Sequence, residues 1–258
     1  MLGAIAGDII GSVHEFLGQK RRDFPLFVEN SRFTDDTVLS IAVADCLLTG
    51  TPYVDAFRAY ADKYPDRCYG IGFWQWVRSG SREPYHSWGN GSAMRVSPIA
   101  FAFETLAEVV GAAKGSAEVT HSHPEGIRGA QAAAAATFLA RQGASKSQIR
   151  DVIETEFGYD LSRDTNTIRV TYRFNESCQE TVPQAITAFL ESSDYEDAVR
   201  LAVSLGGDAD TLACITGGIA GALYGVPHSI ATQALALLDE DLRKTVTWFC
   251  EKYAIVLP

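Results

Sequence analysis

Apolar residues recur at helical spacing along nearly the whole chain. The clearest run is Thr37 to Leu48, with Asp35 and Asp36 just before it and Gly50 just after it, a favourable start and a natural stop. The same period predicts helices over 53–64, 92–113, 124–142, 145–157, 183–191, 195–205, 209–223, 228–238 and 240–253. Pro124 and Glu125 open one of these, and Ala132 to Ala136 inside it fit only a close-packed helix. Two stretches break the period. Residues 80–91 are rich in Gly, Ser and Asn and predict a loop. Within 158–180, Thr167 to Phe174 alternates with period two, which predicts either one short extended segment or a long loop over a cleft. No low-complexity linker and no internal repeat divides the sequence. The expectation is an all-α fold, one compact domain over 1–258, with at most one short extended segment near 167–174.

Composition narrows the function classes. A chain of 258 residues with 47% apolar and 21% charged positions buries a sizeable core without covalent staples. Its net charge of -10 repels phosphate backbones, so no nucleic-acid-binding surface is expected, although one small phosphorylated ligand can still be held by a metal or by backbone N–H groups. Five scattered cysteines, Cys46, Cys68, Cys178, Cys214 and Cys250, form no CxxC pair and suit a reducing compartment. The first residues lack a basic segment, Asp8 interrupts their apolar run, and no stretch of about 18 apolar residues exists. A cytoplasmic monomer without a signal peptide or membrane span is therefore expected.

Two acidic clusters stand far apart in sequence, Thr34-Asp35-Asp36-Thr37 and Gly207-Asp208-Ala209-Asp210-Thr211, each at the start of an apolar helical run. Neighbouring side chains diverge by about 100° inside a helix, but at a helix start the backbone is irregular and adjacent carboxylates can aim at one point. Gly206-Gly207 supplies a backbone free enough for a sharp turn there. If the clusters meet, four carboxylates repel one another unless cations intervene, and two dications would balance four charges. The ligand set of Thr34, Asp35, Asp36, Asp208, Asp210 and Thr211 is all oxygen, which suits Mg²⁺ or Mn²⁺ and disfavours Zn²⁺. Each cluster alone also reads as an ordinary helix N-cap, and the sequence does not bring the two together.

Other residues add candidate chemistry. Glu15 is a general base, a further ligand or a surface carboxylate. Gly3, Gly7 and Gly11 form a small-xxx-small stripe suited to close helix packing; no phosphate-loop lysine follows them. In Ser87-Trp88-Gly89-Asn90-Gly91 two glycines let backbone N–H groups approach an anion ahead of a helix start, while an Asn-Gly turn is the alternative. His121 and His123 flank Ser122 ahead of Pro124 and read as capping or phosphate-contacting residues, since no soft third ligand lies nearby. Tyr69, Phe73, Trp74 and Trp76 form an aromatic patch, either core or a wall that stacks a base.

Taken together, Gly3 to Ser12, Thr34-Asp35-Asp36-Thr37, Gly89-Asn90-Gly91-x-Ala93-Met94-Arg95, Thr120-His121 and Gly207-Asp208-x-Asp210-Thr211 resemble, in order, the motifs of the ADP-ribosylglycohydrolase family. That family includes the dinitrogenase reductase-activating glycohydrolase and hydrolases of ADP-ribosylarginine and ADP-ribosylserine. The resemblance implies an all-α orthogonal helical domain with two Mg²⁺ or Mn²⁺ ions at its centre. Thr34, Asp35 and Asp36 would supply one side of the metal site and Asp208, Asp210 and Thr211 the other. Glu15 falls where some members place a mobile gating glutamate, and Asp35, Asp36 or Glu15 would orient the attacking water. Ser87, Trp88, Gly89, Asn90 and Gly91 would hold the diphosphate and distal ribose, with His121 beside that ribose. The chain is short, so insertions that shape the protein-facing rim in longer relatives are absent or reduced, which leaves the acceptor residue open. A non-catalytic ADP-ribose-binding or structural protein on the same scaffold is the alternative. A terpenoid-synthase reading would need DDxxD, which Asp35-Asp36-Thr37-Val38-Leu39 does not supply.

Overall fold

The computed structural model describes residues 1–257, and among them there are fourteen α-helices and no strand. In chain order these are α1 (Leu2–Gly11), α2 (Asp35–Thr49), α3 (Tyr53–Lys63), α4 (Ile71–Ser79), α5 (Ile99–Ala102), α6 (Leu106–Glu118) and α7 (Pro124–Arg141). Then follow α8 (Lys146–Phe157), α9 (Thr165–Thr171), α10 (Cys178–Glu191), α11 (Tyr195–Ser204), α12 (Ala209–Tyr224), α13 (His228–Ala236) and α14 (Glu240–Lys252). No helix among the described residues is long and apolar enough to cross a membrane.

At the centre lie α1, buried along all ten residues, and α12, buried from Ala209 to Ala220. Helices apolar on every side belong inside, and α12 accordingly packs against α1, α7, α10 and α11. The small-residue stripe of α1 makes the closest of these contacts. A Cβ added at Gly3, Gly7 or Gly11 would lie about 2.0–2.5 Å from the carbonyl oxygens of Gly217, Ala213 and Ala209 respectively. Those three partners step backwards by four residues, so the helices run antiparallel, one turn against one turn. The start of α12 is thereby placed beside the end of α1.

Four sequence expectations need correction. The alternating segment near 167–174 is not extended: α9 occupies Thr165–Thr171. Asp164 caps it by accepting from the Thr167 N–H at 2.6 Å, and Ile168 and Tyr172, four apart, are buried while Val170 is 73% exposed. A strand would have put all three on one face. The helix predicted over 92–113 is not continuous: helix starts only after Pro98, as the short α5, stops at the extended Phe103, and starts afresh as α6, where Thr105 and Glu108 close a reciprocal capping box. Phe73, Trp74 and Trp76 of the aromatic patch lie on an unpredicted helix, α4, and α10 begins at Cys178 rather than at Pro183 because Ser177 caps it. Ala132 to Ala136 are buried in α7, whose N-cap is His123, accepting from the Glu125 N–H.

Candidate metal centre and ligand cleft

Both acidic clusters reach the floor of one cleft of about 660 Å³. The turn ahead of α12 achieves this with Gly206 at φ +67° and Gly207 at φ +101°, a left-handed passage in which a side chain on Gly207 would meet Tyr172 at 2.8 Å. Asp208 occupies the N-cap position but makes no side-chain cap bond; its carboxylate instead accepts from Asn90 Nδ2 at 2.6 Å. Asp210 and Thr211 follow in the first turn, and Thr211 Oγ1 donates to Asp36 Oδ2 at 3.2 Å across the two clusters. On the other side Thr34 caps α2, so the capping and ligand readings are not exclusive there.

The residue that joins these parts is Asp8, which sequence reasoning treated only as a break in an apolar run. It is fully buried in α1 and accepts four hydrogen bonds at the start of α2. The Thr34 N–H (3.0 Å), Thr34 Oγ1 (2.6 Å), Thr37 N–H (3.1 Å) and Thr37 Oγ1 all donate to its carboxylate. A carboxylate facing a helix N-terminus satisfies otherwise orphaned N–H groups and is favoured by the helix dipole. A readable signal existed: an ionisable residue inside a helix that is apolar on every face must have buried partners.

Asp8, Asp36 and Asp210 each bring a carboxylate oxygen within 4.8 Å of one another, and so do Glu15, Asp208 and Asp210. Asp210 belongs to both groups. Asp35 lines the same cleft, half-buried, with its N–H donated to the Arg67 carbonyl at 2.7 Å. Thr34 is turned to Asp8, its hydroxyl donating there and accepting from the Asp36 N–H. Burial pushes Asp35, Asp36 and Asp210 well above the usual carboxylate range, and the neighbouring acids push further in the same direction. Glu15, in the turn after α1, rises to about 7 through burial and then the charges of Asp208 and Glu176, with Arg32 offsetting part.

This donor set fits divalent cations. Among the described residues no lysine or arginine forms an ion pair with any of these acids, and Asp36 Oδ1 is buried without a partner. Oxygen donors alone, carboxylates beside the Thr211 hydroxyl, are the chemistry of hard ions.

Ser87, Gly89, Asn90, Gly91 and His121 line the same cleft as the acids. The Asn90 side chain is committed to Asp208 and Thr181, so it holds a carboxylate in place. His121 is buried with Nε2 turned to the glycines: a Cβ on Gly91 would lie 3.3 Å from it and one on Gly89 3.5 Å. Trp88 stands apart, 55% exposed in a neighbouring hollow with His86 and Asn175, its ring edge-on to His123 at 5.7 Å. Tyr69 and Phe73 of the aromatic patch stack at 5.4 Å and line one wall, while Trp76 is core. Sequence reasoning missed four further lining residues: Tyr85, Glu176, and the rim pair Phe16 and Phe174, which stack at 5.7 Å with both rings exposed.

Comparison with known proteins shows the family and the fold. The family model for ADP-ribosylglycohydrolase matches residues 1–256. The ADP-ribosylarginine hydrolase Tri1 of Pseudomonas putida (strain GB-1) is 28% identical over 259 residues, covering 88% of this chain and 70% of that protein. The ADP-ribosylhydrolase ARH3 of Mus musculus is 28% identical over 314 residues, covering 89% and 84%. Among solved structures, a chain described as an ADP-ribosylglycohydrolase-related protein complex superposes with a TM-score of 0.71 at 25% identity, covering 98% of this chain and 96% of that one. Matched from end to end in sequence and in helical architecture, the chain belongs to the ADP-ribosylglycohydrolase family.

Proposed function

We propose that this enzyme hydrolyses an ADP-ribosyl glycosidic bond and does so with two Mg²⁺ or Mn²⁺ ions held by Asp8, Asp35, Asp36, Asp208, Asp210 and Thr211, with Glu15 beside them. Hydrolysis of ADP-ribosyl bonds follows from the family and from relatives named as ADP-ribosylhydrolases. The dinuclear centre rests on one observation: carboxylates about 200 positions apart converge, buried and without a protein cation, on the floor of a single large cleft. When bound, the two ions would neutralise the repelling acids, draw in the ribose hydroxyls and lower the pKa of water.

The chain's own groups divide the remaining work. Glycines at 89 and 91 leave room for a phosphorylated ligand to approach the backbone, and His121 faces the same space. Glu15, half-buried beside Asp208 and Asp210, is suited to take a proton from the attacking water. Asp35 and Asp36 oppose positive charge, which stabilises oxocarbenium character at the anomeric carbon. Four buried, mutually repelling acids burden a purely structural protein, and this disfavours the non-catalytic alternative.

The test is incubation with arginine-, serine- and nucleotide-linked ADP-ribose plus Mg²⁺, with released ADP-ribose measured. Release from at least one substrate is expected, abolished by a chelator and restored by Mg²⁺ or Mn²⁺ but poorly by Zn²⁺. Undiminished turnover in chelated protein would overturn the metal-dependent mechanism.

A further inference from the structure

We propose that Thr120, itself held by Arg95, fixes the tautomer of His121 so that the imidazole presents its Nε2–H to the ligand as a neutral hydrogen-bond donor. Arg95 is the largest fully buried side chain of the protein, its guanidinium lying 4.3 Å from the centre of the Phe57 ring. Its Nη2 donates to the Ser116 carbonyl at 2.7 Å and to Thr120 Oγ1 at 2.9 Å. A guanidinium only donates, so Thr120 Oγ1 is the acceptor in that bond. Thr120 Oγ1 also lies 2.8 Å from His121 Nδ1, and Thr120 is wholly buried.

Two arrangements are conceivable. If Nδ1 carried the proton, Thr120 would accept from both neighbours and its own O–H would be left buried with nothing to receive it, at a cost of about 1–3 kcal/mol. If Thr120 donates to Nδ1, every group is used, and the ring proton must sit on Nε2. Among the described residues Nε2 has no hydrogen-bond partner, and it faces Gly89 and Gly91. Burial and the Arg95 charge both act against a second ring proton. The donor therefore points into the cleft, toward an acceptor oxygen of a hydroxyl or phosphate. Thr120 and Arg95 are positioning residues: both side chains are wholly buried and act through the ring. The choice of ligand rests on the ADP-ribose reading above; the tautomer does not.

The experiment uses the full chain with Mg²⁺ and ¹⁵N-labelled histidine. Long-range ¹H–¹⁵N correlation spectra assign His121 by its loss in His121→Gln. Wild type should show an unprotonated Nδ1 and a protonated Nε2. Thr120→Val should lose that pattern and bind ADP-ribose roughly tenfold more weakly by calorimetry, the scale of one lost hydrogen bond. Thr120→Ser should keep both, within about twofold for affinity. A protonated Nδ1 in wild type, or an unchanged tautomer in folded Thr120→Val, would overturn the relay. The wild-type spectrum decides even where the valine variant does not fold. A wild-type protein with the stated tautomer that ignores ADP-ribose would overturn the ligand reading instead.

Discussion

At the scale of single residues, Asp36 and Glu15 separate two roles that both carry negative charge. Asp36 is 2% exposed, with one oxygen lacking a protein partner. Without metal its charge opposes Asp8, Asp35 and Asp208, so Asp36→Asn should melt higher than wild type in chelator. With Mg²⁺ the order should reverse, because wild type gains stability by mass action and the variant has lost a ligand. Turnover in Asp36→Asn should fall by roughly a hundredfold or more. Glu15 is half-buried in a turn, so Glu15→Gln should change stability by less than about half a kcal/mol and still cost at least about tenfold in turnover. Melting curves with and without metal, set beside initial rates, check both. An Asp36→Asn variant with full Mg²⁺-dependent stabilisation would remove Asp36 from the ligand set, and wild-type turnover in Glu15→Gln would return it to an ordinary surface carboxylate.

At the scale of elements, the contact between α1 and α12 admits no side chain. Gly7→Ala would bring a methyl group 2.0 Å from the Ala213 carbonyl oxygen, against backbone that cannot move without parting the helices. The variant should lose about 3 kcal/mol or more, at or beyond the upper end for overpacked cores. Gly111→Ala in α6 is the control: nothing lies within 4 Å, the residue is exposed, and the helix should gain about 0.5–1 kcal/mol. Denaturant titration of the pair tests this, and equal stabilities would mean the seam is looser than described. Such elements also show what the sequence could convey. The glycine stripe, the Thr34–Asp36 and Asp208–Thr211 motifs and the Gly206-Gly207 turn were legible because each depends on neighbouring residues alone. The role of Asp8 was not, since it appears only when α1 meets the start of α2. For α9 and α6 the signals were local but outvoted: alternating β-branched residues masked the Asp164 cap, and continuous apolar periodicity masked the Thr105–Glu108 box. Glu176 and the Phe16–Phe174 pair sit in irregular chain, where no periodicity marks them.

At the scale of the whole molecule, buried ionisable groups tie stability to pH, and His121 gives a clean case. Arg95 is the charged group facing it, and Tyr85 lies edge-on at 5.7 Å. Its folded value lies well below the usual 6.5, so below about pH 6.5 the unfolded chain binds a proton that the folded chain refuses. Its contribution is complete above that pH and is lost as pH falls, by up to about 1.4 kcal/mol per pH unit until the folded value is reached. Stability measured against pH should therefore drop more steeply in wild type than in His121→Gln below pH 6.5, and run parallel above it; parallel curves throughout would mean His121 is protonated in the folded protein. A second whole-molecule consequence comes from the seam between α1 and α12. Asp8 rides on one of these helices and Asp210 on the other, and a Cβ on Gly11 would already meet Asp210 Cα at 2.5 Å. The width of the acid cage is thus gauged by a column of hydrogen atoms where methyl groups would otherwise stand. Substitutions in that column, although they touch no ligand oxygen, are the ones that would re-size the cage for an ion of different radius.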